Sequence, residues 1–108
     1  MKRFGWVAKV RPEQYEAYKR LHADVWPDVL KRIKACNLRN YSIFHKDGYL
    51  FTYVEYTGKN FEADAARMAA DETTQKWWSV VVPMLEAVDQ ETTAAGVWAD
   101  MEKIFHLD

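Results

Sequence analysis

"LRNYSIFHKDGYLFTYVEYTG", residues 38–58, reads as two strands, 38–45 and 49–58, joined by Lys46-Asp47-Gly48. Asp-Gly supplies the positive φ angles that tight hairpin turns need. In the second strand the odd positions are Tyr49, Phe51, Tyr53 and Glu55, and the even ones are Leu50, Thr52, Val54 and Tyr56. Side chains alternate between faces with a period of two, so both faces of this strand carry large apolar groups. One face covers helices. The other also needs a cover, and the chain has no spare element to supply it. Sheet-to-sheet packing of two copies is the simplest expectation.

Working outward from the hairpin, "RFGWVAKV" (3–10) is a short aromatic and β-branched run ending before Arg11-Pro12, which predicts a strand. Pro12 suits the first turn of a helix, where its missing N–H costs little. Helix formers follow, and Pro27 either kinks that helix or opens a second one. Asn37 is a candidate for the residue just past the helix end. "KNFEADAARMAADE" (59–72) predicts an Ala-rich helix, and 73–88 a further helix starting near Thr73 or Thr74. Residues 89–96 read as a polar loop, and "VWADMEKIFHLD" (97–108) as a closing strand. The order β-α-β-β-α-β, with the second helical region split, predicts an α+β, ferredoxin-like fold in one domain, 1–108. Its antiparallel sheet carries the helices on one face.

The 108 residues allow one core of modest size. Aromatics make up 15 % of the chain, more rings than a single small core hides, so some are expected in a pocket or an interface. The net charge is −1 from 15 basic and 16 acidic residues with mixed signs, which excludes a basic nucleic-acid stripe. One cysteine, Cys36, allows no internal disulfide and reads as a core thiol. No stretch approaches a membrane span or a signal-peptide core, so a cytoplasmic protein is expected. His22, His45 and His106 lie far apart and lack metal-ligand spacing; there is no phosphate loop or nucleophile elbow either.

Within "YEAYKRLHADVWPDVLKRI" (15–33), Tyr18 and His22 are four residues apart and share a helical face, flanked by Tyr15 and Trp26. Facing the sheet, they place a phenol and an imidazole in the interior. Imidazole exchanges protons near neutrality, while a core-edge histidine with a water partner would show the same spacing. Tyr41 shares strand parity with Ile43, and its plain reading is a core aromatic with its hydroxyl at the rim. Trp77-Trp78 point about 100° apart on a helix, so one can pack while the other walls a cleft. Flat indoles suit the C–H-rich faces of sugars, and Asn40, Tyr41 and His22 are expected to converge on such a ligand.

Tyr18, His22, "VWP" at 25–27, "NYSIF" at 40–44, "DGYLFTYVEY" at 47–56, "RMAAD" at 67–71, "TQKWW" at 74–78 and the terminal "FHLD" resemble the L-rhamnose mutarotase family over nearly the whole chain. Residues 80–96 depart from the family pattern. The resemblance implies a cofactor-free aldose 1-epimerase exchanging the α and β anomers of a 6-deoxy-L-hexose, L-rhamnose or L-fucose. It implies a homodimeric α+β barrel, His22 as proton donor, and sugar contacts from Tyr18, Tyr41, Trp77 and Trp78, without metal. The rival reading is a small-molecule-binding or cofactor-independent monooxygenase-like domain on the same dimeric fold.

Overall fold

The computed structural model describes residues 1–89 and 96–108. Its elements run β1 (Lys2–Val10), α1 (Tyr15–Ala23), α2 (Pro27–Ala35), β2 (Leu38–Lys46), β3 (Tyr49–Tyr56), α3 (Phe61–Ala70), α4 (Glu72–Val81), β4 (Leu85–Glu86) and β5 (Ala99–Met101), with short 3₁₀ turns at 12–14 and 82–84. The sheet is antiparallel in the order β2-β3-β1-β4, and β5 pairs with the same side of β1, farther along the strand. This is the predicted ferredoxin-like order, with the helices on one face.

The hairpin folds as its sequence dictates. Lys46 pairs with Tyr49, leaving Asp47 and Gly48 as a two-residue turn with φ of 53° and 83°. Asn37 has φ 67° and closes α2 as expected. Pro27 opens a second helix rather than kinking the first. The preceding Trp26 is extended, with ψ 130°, as a residue before proline must be. The first helix stops earlier than Trp26, at Ala23, where Asp24 leaves helical geometry.

Two expectations are corrected at the C-terminal side. The helix expected over 73–88 begins at Glu72, because the Asp71 carboxylate caps it by accepting from the Thr74 N–H at 3.0 Å and the Thr74 hydroxyl at 2.9 Å. It ends at Val81, ahead of Pro83, and Leu85–Glu86 then joins the sheet against Val10 and Lys9. The strand expected over 97–108 is confined to Ala99–Met101, and residues 102–108 carry no secondary structure. Most of the predicted polar loop, 90–95, lies outside the described residues.

The core sits between the sheet and the helices. Trp6, Ala8 and Val10 of β1, Leu50, Val54 and Tyr56 of β3, Tyr18 of α1, Val29 of α2 and Trp77 and Val81 of α4 are buried together. Beyond the hairpin end, the buried Tyr56 hydroxyl donates to Asp64 at 2.6 Å and accepts from the Asn60 N–H at 3.0 Å, while Asn37 donates to the same Asp64 carboxylate at 2.9 Å. These bonds hold the Tyr56 carboxylate partner below the ordinary aspartate range. They lock the start of α3 to β3, and Gly58 is needed there because a Cβ would collide with the Tyr56 hydroxyl.

The opposite sheet face is open. Phe44, Tyr49, Phe51, Tyr53 and Met101 are all exposed on it, Phe44 by 64 %. Gly5 on β1 lies between Tyr53 and Met101 in the register of that face.

Candidate active site

A cavity of about 780 Å³ opens between the inner sheet face and the four helices. His22, Tyr18, Tyr41, Trp77 and Trp78 all line it, so the five site residues read from the sequence are brought together. Trp6 of β1, Ile43 of β2, Met68 of α3 and Trp98 and Asp100 at β5 complete much of its wall.

The one-turn spacing of Tyr18 and His22 brings their rings face to face at a tilt of 32°, with centroids 4.1 Å apart. The His22 Nδ1 lies 2.8 Å from the Tyr18 backbone oxygen. A carbonyl only accepts, so Nδ1 carries the hydrogen and Nε2 is the nitrogen with a free lone pair in the neutral ring. Burial lowers the His22 pKa below the ordinary histidine value, and the bond to the Tyr18 carbonyl opposes that shift without cancelling it. The resting imidazole is therefore neutral at pH 7. The Trp77 ring of α4 meets His22 edge-on at 5.3 Å, and Trp26, the extended residue before α2, backs Trp77 at 5.1 Å, so the imidazole is held from the side by one indole supported by another. Trp77 is buried and Trp78 half-buried, which matches the packing and walling roles that a 100° offset predicts.

Tyr41 reaches the cavity through a β-bulge. Arg39 pairs with Glu55 and Ser42 with Tyr53, so Asn40 and Tyr41 both stand opposite Val54. Asn40 takes φ 50°, a left-handed geometry that asparagine tolerates. Its side chain turns away and donates to Glu55 at 2.8 Å, next to the Tyr53 hydroxyl on the same carboxylate. The expected convergence of Asn40 with Tyr41 and His22 is thus corrected: the bulge sends Asn40 to the outer face and Tyr41 to the inner one. The Tyr41 ring meets Trp6 edge-on at 6.2 Å. Although the residue stands at the rim and is 37 % exposed, its hydroxyl end is enclosed, and burial pushes the phenol up to about 12. Tyr18 is raised further, first by burial and then by the charge Tyr41 would carry, which places the two phenols within electrostatic reach of each other. Both are neutral hydrogen-bond donors at physiological pH.

The remaining histidines stand apart. His45 stacks on Tyr15 at 4.1 Å and accepts from the Gly48 N–H at 3.1 Å, a turn-side role. His106 is 2.9 Å from Asp108 in the exposed C-terminal segment. Cys36 is buried, as read from the sequence, at the cavity's edge. Sequence reasoning missed Trp6 and Asp100. Trp6 was read only as part of a strand, and its alternation with Phe4 and Ala8 was the signal available.

The site thus brings together one imidazole nitrogen with a free lone pair, two neutral phenols and a set of indole walls. A family model described as L-rhamnose mutarotase matches residues 3–107. The L-rhamnose mutarotase of Bacillus subtilis is 33 % identical over 110 residues and that of Oceanobacillus iheyensis 29 % over 110, each alignment covering 100 % of both chains. The fold matches a crystal structure titled as the L-rhamnose mutarotase of Formosa agariphila with a TM-score of 0.77 at 23 % identity, again over 100 % of both chains. On the family model and these relatives, the chain belongs to the L-rhamnose mutarotase family.

Proposed function

We propose that this chain interconverts the α and β anomers of L-rhamnose by proton transfer alone, without a metal or organic cofactor. The observation that carries the reading is the neutral His22, committed at Nδ1 and free at Nε2, in a cavity walled by Tyr18, Tyr41, Trp77 and Trp78. Anomer exchange opens the ring when O1–H loses a proton and the ring oxygen gains one. The aldehyde rotates, and the ring closes from the other face. Both oxygens are bonded to C1, so one nitrogen can serve both: Nε2 takes the proton from O1 and delivers it to the ring oxygen, then runs the sequence in reverse on closure. Because the resting ring is neutral, His22 accepts before it donates, and its role as proton donor belongs to the second half of the step. General acid–base help of this kind contributes roughly 10²–10⁴-fold. Tyr18 and Tyr41 donate hydrogen bonds that steady the oxygens, and the indoles hold the apolar sugar faces while C1 turns.

The relatives and the family description name L-rhamnose. L-Fucose gains nothing from them, and neither does the monooxygenase-like alternative. Saturation-transfer NMR on L-rhamnose and L-fucose, with chelator present, tests the activity. Faster exchange of L-rhamnose than in buffer is expected, and none on either sugar would refute it.

The working unit is a homodimer in which a second copy covers the open sheet face, giving the α+β barrel. Support comes from the apolar groups left in solvent: Phe44, Tyr49, Phe51, Tyr53 and Met101 on the sheet, and Ile104, Phe105 and Leu107 beyond β5, which are 88 %, 79 % and 80 % exposed. The enzyme works in the cytoplasm, in keeping with intracellular sugar metabolism; no helix among the described residues is long and apolar enough to cross a membrane.

A further inference from the structure

The cavity contains a hydrogen-bonding group that the proton-transfer scheme leaves unused. Asp100 of β5 stands directly across from Trp6 of β1, and both side chains line the cavity. Three carboxylate residues border that space: Glu62, Asp64 and Asp100. Asp64 is occupied by Tyr56, Asn37 and Arg67. Asp100 stands at the cavity's exposed rim with no hydrogen-bond or ion-pair partner among the described residues, at the end of an inward row that runs across the strand ladder through Trp6, Thr52 and Ile43.

A bound sugar requires acceptors. Each ring hydroxyl brings a proton as well as lone pairs, and a proton buried without an acceptor is costly. The Tyr18 and Tyr41 hydroxyls each donate and accept, the indole N–H groups only donate, and the free lone pair of His22 is committed to the oxygens on C1. Both phenols belong to the His22 side of the site, so hydroxyls remote from C1 call for an acceptor on the other side. Trp6 lies between Tyr41, whose ring it meets at 6.2 Å, and Asp100 on the neighbouring strand. A pyranose placed on the Trp6 indole with C1 toward His22 and Tyr41 would turn its far hydroxyls toward Asp100. A carboxylate has two oxygens and accepts from two adjacent hydroxyls at once.

We propose that Asp100 is a specificity-determining residue whose carboxylate accepts hydrogen bonds from two vicinal hydroxyls of the sugar, away from C1, while Trp6 carries the ring. The proposal rests on the mutarotase reading for its substrate but concerns binding rather than proton transfer. It makes the site selective for sugars whose adjacent hydroxyls both project to one side of the cavity, whichever anomer C1 presents.

The test uses the full chain with Asp100→Ala, Asp100→Asn and, as a control on the other free carboxylate, Glu62→Gln. Anomer-exchange rates and ligand-observed NMR affinities are measured for L-rhamnose and its 3-deoxy and 4-deoxy analogues, with thermal midpoints on the same samples. A hydrogen bond to a charged group corresponds to roughly 10–100-fold, so Asp100→Ala should raise KM by about that factor with kcat within about twofold. Asp100→Asn should fall between, and Glu62→Gln should match wild type. The loss should shrink on at least one deoxy analogue, because the hydroxyl that Asp100 holds is already gone. An unchanged KM in Asp100→Ala overturns the proposal, as does an equal loss on all three sugars or a loss matched by Glu62→Gln. If the wild-type chain exchanges no anomers, the mutarotase reading fails separately, and the affinities still decide: weaker L-rhamnose binding to Asp100→Ala supports the role, and equal binding or none to wild type refutes it.

Discussion

The His22 ring lies 4.1 Å from the Tyr18 ring while its Nδ1–H is held by the Tyr18 backbone carbonyl at 2.8 Å. One residue thus fixes both the plane of the imidazole and its tautomer. The consequence is a single exchangeable nitrogen, Nε2, whose position follows from helix geometry rather than from a second side chain. His22→Asn should retain the fold and sugar affinity and lose about 10²–10⁴-fold in exchange rate, because asparagine hydrogen-bonds but carries no proton near neutrality. Exchange rate, affinity and thermal midpoint on one sample separate this from a packing role. A variant that melts earlier yet keeps its rate per folded molecule would remove His22 from the chemistry.

The lowered His22 pKa sets the pH behaviour. The folded protein prefers the neutral ring, so the unfolded chain binds the proton first as pH falls. The stability associated with neutral His22 is present above the ordinary histidine value of about 6.5 and is lost as pH drops through the lower folded value. Activity should follow the same limb, with an acid-side midpoint below that of an ordinary histidine. A pH–rate profile on L-rhamnose measures it. A midpoint at or above the ordinary value contradicts the neutral resting state.

Tyr41 should be visible as a phenol that ionises only near about 12. In an ultraviolet pH titration, Tyr41→Phe should remove one late-ionising tyrosine and leave the earlier ones in place. The same variant should exchange anomers more slowly and keep its thermal midpoint, since the hydroxyl makes no bond to another described residue. Loss of an early-ionising tyrosine instead would show that the Tyr41 hydroxyl meets water.

Thr52 is buried in the inward row between Trp6 and Ile43, and its hydroxyl lacks a partner among the described residues. An unsatisfied buried hydroxyl costs on the order of 1–3 kcal/mol. Thr52→Val keeps the shape and removes the polar atom, so its thermal midpoint should equal or exceed that of wild type. A clear drop would mean that the hydroxyl is hydrogen-bonded in solution.

The open face makes a separate prediction. Phe44 and Phe51 are paired across β2 and β3 on that surface. If two copies pack through this face as proposed, Phe44→Glu with Phe51→Glu should leave only a 12.7 kDa species in sedimentation equilibrium. A wild-type chain that sediments at that mass at micromolar concentration removes the dimer.

The fold was legible because its signals are local. Asp47-Gly48 fixes the hairpin, Pro27 starts α2 and the period-two rings of β3 give two apolar faces. His22, Tyr18 and the tryptophan pair were legible for the same reason, as helical spacing and family motif place them. Apart from the start of α4, which the local Asp71 cap sets, the misreadings depend on nonlocal pairing. Leu85–Glu86 looks helical until Val10 and Lys9 offer a strand edge. Residues 102–108 carry strand-forming Ile104 and Phe105, yet nothing in the described chain pairs with them. Asn40 has no turn partner or glycine beside it to announce a bulge, and Asp100 acquires meaning only when Trp6 lies across from it.

The bulge also makes β2 a strand with two reading frames. The Asp47-Gly48 turn sets the phase of Ser42 to Lys46, and the end of α2 sets that of Leu38 and Arg39; the surplus residue at 40–41 reconciles them. Deleting Asn40 lets Tyr41 pair alone with Val54 and keeps its ring in the cavity. Deleting Ser42, two positions on, leaves Asn40 opposite Val54 and turns Tyr41 to the outer face. Two one-residue deletions of equal length should therefore have opposite outcomes, one retaining the site phenol and the other exchanging it for an amide.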